Sequence, residues 1–403
     1  MQKSTILKFV CFAVVSLIVS PAVNAEDTIK EQILELFPQA DTNNDGVISD
    51  AEEAVVSRQA MKRHPQADRD GDGVLSDAEK RGLLKMAGRG TQKPPASKNP
   101  SPAKSVADKS SHQQAPNFAD VKYGENERHV LDLWLADSSK PTPLAIYIHG
   151  GGFTSGSKEK LKSNDLSQLL KAGVSVAAIN YRYASTAPLP AAHHDARRAL
   201  QFLRFNADKW NIDKDKVAVF GGSAGAQISM WLAFSDEMAN PKSNDPIDRE
   251  STRLSCVATA GGQTSMDMDF LKNHMQPLVG KKADLQKVLG GGASKQKSEA
   301  RRLATWGAEN ADDLDAKIES VAALSLISPD DPPIFMSYGM SPSAKLPSDP
   351  KRAKGWLIHH VFFGIALKEK MDAMNVESNL QHGGAKSKYE SSAEFMIEKL
   401  TGK

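Results

Sequence analysis

The stretch Gly221-Gly222-Ser223-Ala224-Gly225 decides how the larger part of this 403-residue chain folds. The apolar residues 217–220 before it are typical of a short buried strand, and residues 224–234 after it are typical of an apolar helix. Small residues around Ser223 permit a sharp strand-to-helix turn, which holds the serine hydroxyl out of the sheet. The pattern predicts a strand, a turn carrying a nucleophilic serine, and a helix.

A second glycine-rich stretch, His149-Gly150-Gly151-Gly152-Phe153, follows another predicted buried strand at residues 144–148. Glycines let main-chain N–H groups come close to a substrate oxygen. In the tetrahedral intermediate of acyl transfer that oxygen carries negative charge, which such donors stabilise. We expect an oxyanion hole beside the serine, formed by the N–H groups of Gly151, Gly152 and Ala224.

With both motifs identified, the segment from residue 117 to the end resembles α/β-hydrolase esterases of the hormone-sensitive-lipase and feruloyl-esterase-like group. Asn180-Tyr181-Arg182-Tyr183 is similar to the D/N-Y-R motif of that group, and we interpret it as scaffold packing. The resemblance implies an α/β fold with a mostly parallel sheet flanked by helices. It also implies hydrolysis of carboxylic esters without a catalytic cofactor, on short acyl or carbohydrate-linked esters such as acylated polysaccharides.

The order of catalytic residues in this fold is serine, then an acid, then a histidine. His382 has the spacing that the resemblance implies for the base, because it follows a predicted helix at 362–374 and a predicted short strand at 376–380. His359 and His360 are the alternative pair. The sequence therefore favours His382 as the base and leaves this pair open.

The acid departs from the pattern of the family. A strand is predicted at 334–339, but residues 340–343 after it contain no carboxylate. The next acid is Asp349, which we take as the candidate that would accept the second ring N–H of His382. A displaced or absent acid would slow the reaction. Residues 266–305 carry mixed helical signals and are predicted to form a partial lid over the cleft.

An acidic pattern occurs twice near the N-terminus, and each copy matches the twelve-residue loop of an EF-hand. Such a loop supplies oxygen ligands to calcium from positions 1, 3, 5, 7, 9 and 12, with glycine at position 6 for the turn. The pattern predicts two calcium ions. The ligands are Asp41, Asn43, Asp45, Val47 through its carbonyl, Ser49 and Glu52 in the first loop, and Asp68, Asp70, Asp72, Val74 through its carbonyl, Ser76 and Glu79 in the second.

Composition and sequence motifs divide the chain into four segments. Residues 1–25 match a secretory signal peptide with a small-residue cleavage site, which predicts a secreted or periplasmic protein. Residues 26–87 hold the EF-hand pair, which forms a small α-helical domain. Residues 88–116 are rich in Pro, Ser, Lys and Gln and are predicted to be a disordered linker. Residues 117–403 form the α/β-hydrolase domain.

Charge and cysteine content exclude several classes of protein. A formal net charge of +2 gives no reason to expect a nucleic-acid partner. The apolar core of the signal segment is short for a membrane span, so no span is expected after its removal. Of the two cysteines, Cys11 lies in the signal segment and only Cys256 remains, which excludes an internal disulfide in the mature chain.

Two classes of function fit these observations. The favoured one is an exported carboxylesterase-type serine hydrolase with a calcium module that has a structural or docking role. The alternative is a catalytically weak or inactive hydrolase-fold binding protein, docked through that module to an unknown protein or cell-surface partner. A serine peptidase on the same fold has no support, because no propeller-like region is present.

Overall fold

The computed structural model describes residues 47–49, 75, 80, 114–280, 285–289 and 295–403. The chain divides into two compact units, Met1–Ala107 and Asp108–Lys403. The predicted signal peptide and almost all of the predicted EF-hand pair and linker lie outside the described residues. The fold described below is that of the second unit.

Eight strands form one sheet in the order β1-β2-β4-β3-β5-β6-β7-β8. Strands β3 to β8 pair in parallel, whereas β1 and β2 pair antiparallel at one edge. The sheet is therefore mostly parallel, as predicted. The bounds are β1 Phe118–Lys122, β2 Val130–Trp134, β3 Thr142–Ile148, β4 Ser175–Ile179, β5 Ile212–Gly222, β6 Cys256–Ala260, β7 Ile334–Tyr338 and β8 Ser378–His382.

Helices connect the parallel strands. They are α1 Ser163–Lys171, α2 Ala191–Phe205, α3 Ala224–Phe234, α4 Met268–Val279, α5 Leu285–Leu289, α6 Lys295–Trp306, α7 Ala311–Glu319, α8 Ala323–Leu326, α9 Pro350–Ile358, α10 Phe362–Ala373 and α11 Ser392–Thr401. Within the described ranges, no helix has the length and apolar character needed to cross a membrane.

The two predicted motifs fall where the sequence placed them. The predicted strand at 144–148 lies in β3, and the glycine-rich stretch directly follows it. Ser223 lies between β5 and α3, and α3 has the predicted bounds. Because β3 and β5 are adjacent parallel strands, both motifs lie at the same edge of the sheet.

Apolar side chains cover both faces of the sheet. Helices α1 and α11 bury one face, with Leu169 and Phe395 inaccessible to solvent. Helices α2, α3 and α10 bury the other face, where Leu200 and Ile228 belong to the larger core cluster. All eleven residues of α3 are buried, so the helix after the serine is fixed on all sides.

A close approach between α3 and the end of β3 requires glycine. A methyl group on Gly225 would lie 2.0 Å from the carbonyl oxygen of Ile148 and 2.7 Å from that of His149. No side chain fits at that distance, so Gly225 lets the helix begin directly against the strand. This contact brings Ser223 next to the loop that follows β3.

The contact predicts that Gly225→Ala is destabilising. The added methyl group must displace main-chain atoms, and overpacking of this kind costs about 1–3 kcal/mol. The control is Gly355→Ala inside α9, where the added methyl group meets no atom within 4 Å. That change should raise stability by up to about 1 kcal/mol through helix propensity. Urea unfolding measures both, and equal effects would contradict the role of Gly225.

Candidate active site

Ser223 occupies the sharp turn that the sequence predicts. Its backbone has φ 53° and ψ −119°, a conformation that residues other than glycine rarely adopt. The Ser223 N–H donates to the Ala260 carbonyl at 2.9 Å, and the Ser223 carbonyl accepts from the Gln227 N–H at 3.0 Å. These bonds to β6 and to α3 hold the strained turn, with the hydroxyl at the sheet edge.

The hydroxyl of Ser223 contacts a histidine on another part of the chain. Its Oγ lies 2.9 Å from Nε2 of His359, which is hydrogen-bonding distance. His359 directly follows α9, in the long connection between β7 and α10. The structure thus pairs the serine with one member of the alternative histidine pair.

The environment of His359 keeps its ring neutral. Burial lowers the pKa of His359 below its usual value, and the main-chain carbonyl of Gly355 only partly opposes this effect. The ring packs over Gly261, where an added Cβ would lie 3.4 Å from Cδ2. A neutral imidazole beside a serine hydroxyl can accept its proton.

The structure gives the predicted base, His382, a different position. It is the last residue of β8, and its N–H and carbonyl pair with Ala385 in a tight turn. Its Nδ1 lies 3.1 Å from the Gly383 carbonyl. The predicted strand ended at residue 380, but β8 extends to His382 and the turn closes directly after it.

The predicted acid, Asp349, caps a helix. It precedes Pro350 at the start of α9, and its carboxylate accepts the Arg352 N–H at 2.8 Å. His359 lies at the other end of the same helix, about 15 Å away at 1.5 Å per residue. The Asp349 carboxylate therefore cannot reach the His359 ring, and among the described residues no carboxylate hydrogen-bonds that ring.

A sequence signal for this outcome exists. An aspartate directly before a proline is typical of a helix start, with the aspartate as N-cap and the proline at the first helical position. Asp349-Pro350 therefore indicates a helix after β7, and that helix ends at the paired His359 and His360. Helix length then separates the acid from both histidines.

The predicted oxyanion residues belong to the loop after β3 and to the start of α3. Gly151 and Gly152 have φ 125° and 59°, which places their backbones in the region that favours glycine. At Gly150 an added Cβ would lie 2.6 Å from the Gly222 carbonyl oxygen and 3.5 Å from the Ser223 Cβ, so the loop touches the turn. Ala224 is the first residue of α3. The structure therefore shows the glycine loop in contact with the serine turn at Gly150 and the first residue of α3 directly after the serine.

The Asn180-Tyr181-Arg182-Tyr183 segment supports that loop. Tyr181 donates its hydroxyl hydrogen to the His149 carbonyl at 2.8 Å and stacks on the His149 ring at 4.1 Å. Tyr183 donates to the Gly156 carbonyl at 2.5 Å. Arg128 also donates to that carbonyl and lies 3.7 Å from the centroid of the Tyr183 ring. The predicted scaffold role is consistent with these contacts.

An ion pair fixes the same segment to α2. Arg182 Nη2 lies 2.6 Å from Asp195 Oδ1, and Arg182 Nε donates to Oδ2 at 2.9 Å. Asp195 is almost fully buried and also accepts the main-chain N–H of Arg182. Bidentate pairs of this kind give geometric specificity. They hold the residues under the glycine loop in one arrangement.

A cleft of about 480 Å³ opens beside the serine. It lies at the carboxyl ends of β5 to β8, where parallel sheets place their sites. Its lining residues are Ser223, Ala260, Gly261, Ser337, Tyr338, Gly339, His359 and Gln381. The cleft thus receives Gln381 but not His382, in agreement with the alternation of side chains along a strand.

The predicted lid region differs from expectation. Residues 268–279, 285–289 and 295–306 form α4, α5 and α6, which confirms the helical signals. None of these residues lines the cleft beside Ser223. They enclose a separate cavity of about 540 Å³ together with Leu314 and Phe363. In the described part of the chain, these helices therefore lie beside the cleft and do not cover it as the predicted lid would.

The predicted calcium ligands cannot be placed, because all of them except Val47 and Ser49 lie outside the described residues. Both of these residues are exposed. Cys256, the cysteine expected in the mature chain, is buried in β6, and burial raises its thiol pKa to about 12.

The sheet order and the serine turn define an α/β-hydrolase fold. The chain belongs to the BD-FAE family, since the model of that family matches residues 131–344, more than half of the chain. The matched segment contains the glycine loop and Ser223 and ends before His359.

Curated relatives are similar over a shorter part. Esterase LipC of Mycobacterium tuberculosis is 29% identical over 158 residues, which are 39% of this chain and 36% of the relative. Ethyl acetate hydrolase of Pseudomonas putida is 35% identical over 121 residues, which are 29% of this chain and 38% of the relative. The chain thus spans little more than a third of the length of each.

Two solved structures match this chain at low identity. A truncated carbohydrate esterase from gut microbiota has 19% identity and a TM-score of 0.49, with 66% of this chain and 86% of that chain covered. An acetyl ester-xyloside bifunctional hydrolase from Caldicellulosiruptor lactoaceticus has 20% identity and a TM-score of 0.47, with 68% and 88% covered.

A buried histidine lies behind the glycine loop. The His193 ring stacks on Phe153 at 5.7 Å between centroids and contacts Trp231 edge-on at 5.4 Å. It is inaccessible to solvent, and burial lowers its pKa to about 3. Phe153 itself has φ 62°, so a strained residue of the loop rests on a neutral imidazole.

This burial predicts that acid destabilises the fold. Below about pH 6.5 His193 is protonated in the unfolded chain but stays neutral in the folded chain. The free energy of unfolding therefore decreases as the pH is lowered from about 6.5 to 3. Each pH unit in that window costs about 1.4 kcal/mol for this residue. Urea unfolding from pH 7 to 5 should show a flatter dependence for His193→Phe than for the wild type. Equal slopes would contradict the prediction.

Proposed function

We propose that this protein is a carboxylic ester hydrolase in which Ser223 is the nucleophile and His359 is the general base. The observation that carries the proposal is the 2.9 Å contact between Ser223 Oγ and His359 Nε2. Membership of the BD-FAE family and similarity to relatives named as esterases support the reaction class.

The contact defines the order of proton movements. As Ser223 Oγ bonds to the ester carbonyl carbon, its proton passes to His359 Nε2 and the carbonyl electrons move onto oxygen. When the oxyanion collapses, the bond to the alcohol oxygen breaks, and that oxygen takes the proton from Nε2. Water then attacks the acyl-enzyme by the same steps and releases the carboxylic acid and Ser223.

The oxyanion is stabilised by main-chain donors. The N–H groups of Gly151, Gly152 and Ala224 are proposed for this role, since the loop after β3 touches the serine turn and α3 begins at Ala224. The loss of one such donor costs about 2.7–4 kcal/mol of transition-state stabilisation. The supports from Tyr181 and Arg128 keep the loop in place before substrate binds.

The pair works without a carboxylate at the second ring nitrogen. Burial already keeps the base neutral, and the Gly355 carbonyl at the end of α9 is the group that raises the His359 pKa. An acid normally fixes the tautomer and stabilises the imidazolium. A main-chain carbonyl carries no full charge, so we expect a slower enzyme than one with a complete triad.

The substrates are proposed to be short acyl or carbohydrate-linked esters. The cleft is lined by Ser337 and Gln381 as well as by main chain, and such polar groups suit an alcohol that carries hydroxyl groups. The relative from Pseudomonas putida is named for ethyl acetate, a short acyl ester. Acylated polysaccharides are one class that meets both conditions.

Hydrolysis of p-nitrophenyl acetate by the full chain tests the assignment. Ser223→Ala and His359→Asn should each lower kcat by at least about a thousandfold, as removal of a nucleophile or its base does in other serine hydrolases. His382→Asn and Asp349→Asn are the controls and should leave kcat near the wild-type value. Initial rates over a range of substrate concentrations give kcat and KM.

Two results would contradict the proposal. A wild-type rate that Ser223→Ala leaves unchanged would exclude this serine and favour the alternative, a binding protein on a hydrolase fold. A large loss of kcat in His382→Asn, with His359→Asn near wild type, would return the base to His382.

We also propose that residues 26–87 bind two calcium ions and that residues 1–25 direct export. The repeated loops provide a complete set of oxygen ligands in each copy. At the eighth position of the two loops stand Ile48 and Leu75, and each is only 2% exposed. Equivalent apolar residues buried at this position support paired loops. The partner of this unit is an unknown protein or cell-surface component.

Calorimetric titration of the full chain with calcium tests the module. Wild type should take up two ions, and the double variant Glu52→Gln, Glu79→Gln should take up none, because the bidentate carboxylate at position 12 of each loop is lost. The matched control is Glu53→Gln, next to the first loop. Equal uptake by the wild type and the double variant would contradict the module.

A further inference from the structure

Gln263 lies at the contact between the loop after β6 and the end of α9. Its side chain is buried, with 8% exposure. The amide nitrogen Nε2 donates to the Ile358 carbonyl at 2.5 Å and to the Gly261 carbonyl at 3.2 Å. One side chain therefore joins the loop to the residue that directly precedes His359.

The Ile358 carbonyl is a group that needs a partner. The last four carbonyl groups of a helix accept no hydrogen bond from an N–H group of the same helix. They are paired instead with side chains, with water or within a tightened last turn. Gln263 supplies a donor to the Ile358 carbonyl at the last residue of α9. The orientation of the peptide between Ile358 and His359 follows from this hydrogen bond.

The second hydrogen bond acts on Gly261, the residue that packs against the ring. Gly261 packs against the His359 imidazole, since a Cβ added to Gly261 would lie 3.4 Å from Cδ2 of the ring. Its φ of 58° lies in the region that favours glycine. Gln263 Nε2 binds the Gly261 carbonyl. The same amide thus fixes the surface on which the ring packs and the main chain from which the ring projects.

Other contacts hold the loop independently of Gln263. Tyr338 donates its hydroxyl hydrogen to the Gly262 carbonyl at 2.7 Å. Thr264 Oγ1 donates to the Phe363 carbonyl at 2.9 Å, a buried hydrogen bond that joins the loop to α10. Removal of the Gln263 amide therefore leaves the loop anchored while His359 loses its brace.

We propose that Gln263 is the positioning residue for the His359 base, and that it holds the imidazole against Ser223 through two main-chain carbonyl groups in place of a triad carboxylate. The inference rests on the proposed function, since it needs His359 to act on Ser223. Gln263 does not touch the reacting atoms.

Kinetics separate positioning from folding. The variant Gln263→Met keeps the side-chain length but has no donor. A misplacement of about 1 Å at a reacting group can cost about a hundredfold in rate. We expect kcat for p-nitrophenyl acetate to fall by about ten- to a hundredfold, with KM nearly unchanged because the substrate cleft keeps its lining.

Thr264→Val is the matched control. It removes one buried hydrogen bond between the same loop and the chain after α9, but that bond ends four residues beyond His359. The two variants should lower the thermal unfolding midpoint by similar amounts, whereas Thr264→Val should leave kcat near the wild-type value. The rate of Ser223 modification by diethyl p-nitrophenyl phosphate should fall only in Gln263→Met.

The outcomes are distinguishable. If Ser223→Ala abolishes hydrolysis and Gln263→Met lowers kcat and the modification rate while Thr264→Val does not, the inference is confirmed. If Ser223 is required but both variants change kcat alike, or Gln263→Met changes only KM, the inference alone is overturned. If hydrolysis does not depend on Ser223, the proposed function fails and the inference fails with it.

A second variant covers a failure to fold. Gln263→Asn keeps the amide but is one methylene shorter, so it cannot reach both carbonyl groups. If Gln263→Met is unfolded, Gln263→Asn is compared with Thr264→Val by the same measurements and the same criteria.

Discussion

The left-handed backbone of Ser223 is the constraint on which the rest of the site depends. A residue with a side chain in this region costs about 1–3 kcal/mol, and it persists only where the surroundings hold it. Here the buried helix α3, the hydrogen bond to Ala260 and the close approach at Gly225 hold it together. Because the strain lies at the turn, the hydroxyl projects from the sheet toward His359 instead of packing into the core.

Short-range patterns allowed the serine turn and the glycine loop to be predicted. Each depends on fewer than ten consecutive residues, where small side chains and buried strands determine the backbone directly. The base was a different problem. Its proposed identity depends on how the residues between β7 and α10 fold, and no helix was predicted at residues 350–358. Once Asp349 caps α9, His359 rather than His382 lies at the serine.

The brace at Gln263 could not be read from the sequence for a similar reason. A glutamine in a glycine-containing loop has no pattern that identifies its partners, and Ile358 is far from it in the chain. The residues that support the glycine loop could be predicted in part. The Asn180-Tyr181-Arg182-Tyr183 segment was predicted to be a scaffold, whereas its hydrogen bonds to His149 and Gly156 emerge only when β3 and β4 are adjacent.

The position of His359 also changes which constraints act on the residues after β8. In a site whose base followed β8, the turn after that strand would be under the same functional constraint as the serine turn. Here residues 383–391 connect β8 to α11, and Gly383 packs against the segment that follows β7 at the cleft. Under the proposed function, this connection therefore acts on the cleft through its packing against Gly339 and not through a catalytic side chain.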